Sequence, residues 1–177
     1  MAKDLLGKYF VRRIGTRLLV GQIVEVEAYL GELDPASHAY RRMTKRNEVM
    51  FRTGGHLYVY FTYGMHFCCN VVTEEEGKGR AVLLRAVVPI EGIDLMEKNR
   101  GSEFPELTNG PAKLCQAFGI KREQNGADLL GDLIFLSRGE HVPASEIASG
   151  PRIGIKSGRG KKWRFYIRGN PFVSKKP

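Results

Sequence analysis

The chain has 177 residues, 42% of them hydrophobic, enough for one domain with a sizeable core. Its 28 Lys and Arg outnumber 19 Asp and Glu, for a formal charge of +9, a balance that favours a polyanionic partner, nucleic acid first. Three cysteines (Cys68, Cys69 and Cys115) fit neither a disulfide framework nor a zinc knuckle and read as small buried hydrophobes. No apolar run reaches the length of a membrane span and the first residues carry no signal-peptide core. The expected compartment is therefore the cytoplasm, with nucleoid association, or the nucleus in a eukaryote.

A short helix over residues 2–6 is expected to precede a β-hairpin, residues 8–14 turning at Gly15-Thr16 into a long arm over 17–29. Residues 30–55 carry Gly31, Asp34-Pro35, a basic cluster and Gly54-Gly55, and read as loop with one helical turn capped by Thr44. Strands over 56–63 and 66–73, a polar turn and a continuous apolar strand over 81–88 follow. Helices are expected over 91–99 and 111–118. Gly110-Pro111 opens the second, whose first turn lacks an acid and carries Lys113, a combination suited to a phosphate. Short strands near 133–137, 152–156 and 163–168 complete the chain, with a flexible basic turn over 158–162. Strands first and helices later, without a βαβ rhythm, predict an α+β fold. It would be a single domain, residues 1–177, with a curved, mostly antiparallel β-sheet and flanking short helices.

Strand alternation puts Ile23, Glu25, Glu27 and Tyr29 on one face of the long arm. Two carboxylates and a tyrosine sharing a face suit acid–base chemistry, and equally suit a polar face turned to water. Arg85 interrupts an apolar strand, where a cation is costly unless paired. It either bonds Glu25 or Glu27 as a structural ion pair or belongs to a functional surface. Asn70, also in an apolar strand, needs hydrogen-bond partners. The run from Tyr58 to Phe67 holds five aromatic residues. Alternation sends Tyr58, Tyr60 and Thr62 to one face and Val59, Phe61 and Tyr63 to the other, either as a platform for nucleobases or as an ordinary aromatic strand pair. The four histidines lack zinc-ligand spacing, and no dinucleotide, Walker or nucleophile-elbow motif is present. No metal and no cofactor is expected.

Ile23-Val24-Glu25-Val26-Glu27-Ala28-Tyr29-Leu30-Gly31, Asp34 to His38, Gly55-His56-Leu57-Tyr58-Val59-Tyr60, Tyr63-Gly64-Met65, Phe67-Cys68 and Leu83-Leu84-Arg85-Ala86 occur in that order. With Gly110 to Ala117 and Arg164 to Pro171, they resemble the alkyladenine (3-methyladenine) DNA glycosylase family over almost the whole chain. The resemblance implies a monofunctional glycosylase that flips alkylated or deaminated purines out of duplex DNA, and whose N-glycosidic bond cleavage needs no Schiff base. It places the catalytic general base at Glu27 and, at Arg85, the arginine that helps hold the attacking water. It places the base pocket at Tyr29, His38, Tyr60 and Asn70, with Asn70 testing the exocyclic group, and a duplex-entering wedge at Tyr63. Tyr58 and Phe61 then remain as packing residues. Arg41, Arg42, Thr44, Arg46 and Lys113 are the candidates for contacts to the DNA backbone.

The chain departs from that family's mammalian members at His66, which replaces a tyrosine, and at Cys69, which replaces a methionine. Its 38–44 loop reads as one residue shorter, and the sequence is expected to hold the catalytic domain without their N-terminal extension. The expected partner is double-stranded DNA containing a damaged purine, bound by a monomer. The alternative is a non-catalytic nucleic-acid-binding domain in which Glu27 merely pairs with Arg85.

Overall fold

The computed structural model describes residues 1–174. Its strands are β1 (Tyr9–Ile14), β2 (Arg17–Leu30), β3 (Leu57–Thr62), β4 (His66–Thr73), β5 (Arg80–Glu91), β6 (Ile134–Ser137), β7 (Ile147–Gly150) and β8 (Arg164–Ile167). Its α-helices are α1 (Ile93–Arg100) and α2 (Pro111–Ala117). The strands form one antiparallel sheet with main order β3-β4-β5-β2-β1-β6, while β8 joins β2 to β7. The twist of so many paired strands curls it into a half-barrel, so the chain is an α+β single domain.

One face of the sheet is apolar and meets the helices. Phe10, Leu19, Ile23, Val26, Leu57, Val71, Leu84 and Val87 pack there with Met96 of α1 and Leu114, Cys115 and Phe118 of the α2 region. Each large side chain buried this way contributes about 1.5–3 kcal/mol. The other face carries Tyr58, Val72 and Ala81 beneath Val49 and Met50 of the long loop. On that face too lie the buried polar residues Glu25, Glu27, Asn70 and Arg85.

A pair of compensating irregularities lies between β2 and β5. Ile23 pairs with Val87, Glu25 with Ala86 and Val26 with Leu84, so Val24 is extra on β2 and Arg85 is extra on β5. Ile23 is thereby turned into the helix-facing core with Val26. It does not share the face of Glu25 and Glu27, as strict alternation had implied.

Other local expectations are also corrected. Residues 152–156 form no strand, because the last hairpin pairs β7 with β8. Strand β5 runs on to Glu91, and α1 starts only after Gly92. Gly92 has φ 75, and a Cβ there would lie 2.5 Å from the Leu18 carbonyl oxygen. The N-terminal helix is a 3-10 turn, Lys3–Leu5. Thr44 caps nothing. Its N–H and hydroxyl donate to Asn47 Oδ1 at 2.6 and 3.0 Å. The buried Asn47 in turn donates to the carbonyls of His38 and Arg42 at 2.7 and 3.1 Å, and so organises the loop.

Candidate active site

Glu25 and Glu27 leave the irregular stretch of β2 on the same side and face Arg85; both carboxylates have 0% exposure. Arg85 Nε donates to Glu25 Oε1 at 2.8 Å, and its Nη1 lies 3.2 Å from Glu27 Oε1. The cation is therefore in an ion pair and in a cavity wall at once. Glu25 also accepts the N–H and hydroxyl of Ser174 at 2.6 and 2.9 Å, which leaves it an anchor for Arg85.

Glu27 is held differently. The Ile153 N–H donates to Oε1 at 2.8 Å and the Tyr29 hydroxyl donates to Oε2 at 2.9 Å. A carboxylate offers about four lone-pair sites, so Oε2 retains capacity for another donor such as a water. Burial pushes this carboxyl above its ordinary value, while Arg85, the Ile153 amide and Tyr29 pull the other way without cancelling it. The result is a more basic carboxylate than an exposed one, as a general base requires.

A cavity of about 360 Å³ lies in front of this group, walled by Tyr29, His38, Tyr60, Tyr63, Asn70, Arg85 and the loop from Ile153 to Ser157. His38 meets Tyr60 edge-on, with ring centroids 4.5 Å apart, and its Nδ1 lies 3.0 Å from the Tyr58 hydroxyl. Burial raises the Tyr58 phenol to about 12, so the phenol stays protonated and can hydrogen-bond His38 Nδ1. Burial, then Arg46, lowers the His38 imidazole and keeps it neutral. Tyr58 is thus more than the packing residue expected: it orients His38 and lines the cavity. Phe61 is only partly packed: its ring centroid lies 5.1 Å from that of Phe67, but the residue is exposed. Asn70, opposite Tyr58 in register, donates to the Tyr58 carbonyl at 3.3 Å.

Tyr63 sits beyond the end of β3, in the turn before β4, with φ 50 and 80% exposure. Strand parity does not govern it there, and its ring borders the same cavity as Tyr60, contrary to the opposite-face expectation. A bulky residue held in the left-handed region is strain of the kind that collects at functional positions.

Arg41, Arg42, Thr44 and Arg46 line an adjoining cavity of about 310 Å³ that shares Pro35 and His38 with the first. Lys113 lies apart from both, its ammonium bonded to Glu106 at 2.5 Å and Asn109 at 2.8 Å. Sequence reasoning missed the loop after β7. Its Ile153 amide reaches Glu27, and its Arg152 forms a doubly hydrogen-bonded pair with Asp34, including a 2.7 Å Nη2–Oδ1 bond. The only signals were Asp34-Pro35, which reads as a turn, and Pro151-Arg152, in a segment that reads as strand.

The fold, this site and the comparisons together define a hydrolytic DNA N-glycosylase. The chain belongs to the methylpurine-DNA glycosylase family, whose model matches residues 1–171. A Carboxydothermus hydrogenoformans protein is 51% identical over 178 residues, covering 99% of this chain and 93% of its own. One from Chlorobaculum tepidum is 48% identical over 177 residues, covering 99% and 85%. One from Francisella tularensis subsp. tularensis is 45% identical over 179 residues, covering 99% and 92%. All three are assigned by name as 3-methyladenine DNA glycosylases. Among the described residues, no helix is long and apolar enough to cross a membrane.

Proposed function

We propose that the protein releases alkylated purines, 3-methyladenine among them, and deaminated purines from duplex DNA by flipping the nucleotide into the cavity walled by Tyr29, His38 and Tyr60. The flip is required because the glycosidic bond is inaccessible inside the stack. Tyr63, exposed at the hairpin tip beside the cavity mouth, fills the vacated position in the duplex. Arg41, Arg42, Thr44 and Arg46 take backbone phosphates along the adjoining groove, and Lys113, apart from it on α2, exchanges its bond to Glu106 for one. Asn70 tests the exocyclic group of the purine.

In the chemical step Glu27 accepts a proton from a water held between it and Arg85. The water oxygen bonds to C1′ while the bond from C1′ to the purine nitrogen breaks, its electron pair leaving with the base. An N3- or N7-alkylated purine carries a positive charge, so it departs neutral and needs no acid; a neutral deaminated purine departs as its anion and takes a proton from solvent. Until it takes the proton, the ionised Glu27 faces the positive charge that develops on the sugar.

The observation that carries this reading is the Glu27 carboxylate, buried behind an aromatic cavity and held by Tyr29, Ile153 and Arg85. Base release is measured from duplexes that each carry one defined damaged purine, with wild type and Glu27→Gln. The expected result is release by wild type, a loss of at least a thousandfold in Glu27→Gln, and retained lesion binding by both. Equal release by the two proteins would remove Glu27 from the mechanism. Release by neither, with binding by both, would favour the non-catalytic binding reading.

A further inference from the structure

Tyr29 walls the cavity on one side and is backed by charge on the other. The Arg152 guanidinium carbon lies 4.5 Å from the centroid of the Tyr29 ring and 5.1 Å from that of Trp163, and Arg152 is not part of the cavity wall. Its side chain, like that of Asp34, has 0% exposure. Asp34 binds both terminal nitrogens of the guanidinium, and Nη1 also donates to the Ala28 carbonyl at 3.0 Å. A base stacked on the open face of Tyr29 would therefore have a buried cation one ring behind it.

A cation there opposes a positively charged base and uses the same ring quadrupole that would attract it. With the base one stacking distance beyond the ring, the charges stand roughly 8 Å apart. At an effective dielectric of about 20 their repulsion would lower affinity on the order of ten- to thirtyfold. The carboxylate bonded to both ends of the guanidinium offsets that field.

We infer that the buried Asp34–Arg152 pair is a specificity-determining device: Asp34 neutralises the cation behind Tyr29 and so lets the pocket accept positively charged alkylated purines. Asp34 and Arg152 touch neither water nor base; they act through the Tyr29 ring as positioning residues. The inference rests on the proposal that the flipped base stacks on Tyr29, and it predicts discrimination by charge, which loss of packing would not produce.

The test measures affinity in the Glu27→Gln background, where no base is released, for duplexes carrying cationic 7-methylguanine or neutral hypoxanthine. Adding Asp34→Asn is expected to lower the ratio of the two affinities, cationic over neutral, by about tenfold or more. Adding Asp34→Asn together with Arg152→Met, which removes both charges, returns the ratio to within about threefold of its starting value. An equal loss for both lesions, or a double variant as depressed as the single one, would overturn the inference. If Asp34→Asn does not fold, Arg152→Met alone decides: the remaining carboxylate keeps the ratio at or above its starting value, and a fall overturns the proposal. Adding Tyr29→Ala in the same background is the separate check on the stacking site: affinity for both lesions is expected to fall, and unchanged affinity would remove Tyr29 as the stacking ring.

Discussion

The hydroxyl of Tyr29 donates to Oε2 of Glu27 across 2.9 Å, so the cavity wall and the carboxylate behind it form one unit two residues apart on β2. The bond favours the ionised form of Glu27, and Tyr29 stays protonated because burial, then Glu27, raises its phenol. As the proposed general base, Glu27 must be ionised to accept a proton, so activity is expected to fall as pH drops through its raised value. Tyr29→Phe removes one stabilising donor and raises it further. The acid limb of the kcat/KM profile is expected to move to higher pH while the upper plateau falls by no more than about tenfold. A limb that does not move would mean the bond has no electrostatic role.

The same raised carboxyl makes a prediction about stability. A group whose folded value exceeds its unfolded one contributes stability below the unfolded value and loses that contribution as pH rises through the folded value. At neutral pH ionised Glu27 is therefore a cost to the fold. Glu27→Gln keeps an acceptor for the Ile153 amide and a donor for the Tyr29 oxygen. Its Tm at pH 7 should equal or exceed that of wild type, the difference closing in acid. A Tm several degrees lower would contradict this.

Tyr63 pays a conformational penalty at φ 50 that glycine would avoid. Tyr63→Gly should stabilise the protein by about 0.5–1 kcal/mol in denaturant unfolding, whereas Tyr63→Ala, still in the left-handed region, should not. Both should weaken discrimination between lesion and intact duplex similarly. If Tyr63→Gly alone lost discrimination, loop mobility rather than loss of the ring would be responsible.

Arg41 and Arg42 line the groove next to the base cavity. Replacing either with Gln should weaken binding to lesion and intact duplex by similar factors, and lower the slope of log affinity against log salt by about one. A change confined to lesion DNA would place that arginine at the base and not at the backbone.

The sheet was legible because its strands are carried by local alternation and bounded by Gly15, Gly64 and the 74–79 turn. The motif resemblance also pointed to Glu27, Tyr29, His38, Tyr60 and Arg85, which the fold brings to one cavity or directly behind it. What escaped depends on pairing at long range. The paired irregularity at Val24 and Arg85 exists only when β2 meets β5, so a single strand's periodicity could not show that Ile23 changes face. Arg152 meets Asp34 across 118 positions, and Tyr58 of β3 meets His38 of the long loop across 20, separations that no local pattern carries. Thr44 has the chemistry of a cap in the sequence, whereas the burial that makes Asn47 the organising residue is a tertiary property.

Strand β2 pairs with β5 from Val20 to Leu30 and, on its other side, with β1 from Arg17 to Gln22 and with β8 from Glu25 to Glu27, so residues 25–27 have partners on both sides. Amides there can exchange with solvent only when the sheet itself opens. The hydrogen-exchange rate at Glu27 should therefore report global unfolding, while the Tyr63 turn exchanges freely. On the proposed roles, heating would loosen the wedge at the hairpin tip before it displaces the carboxylate, so hydrolysis of an already unpaired lesion should outlast extrusion of a paired one.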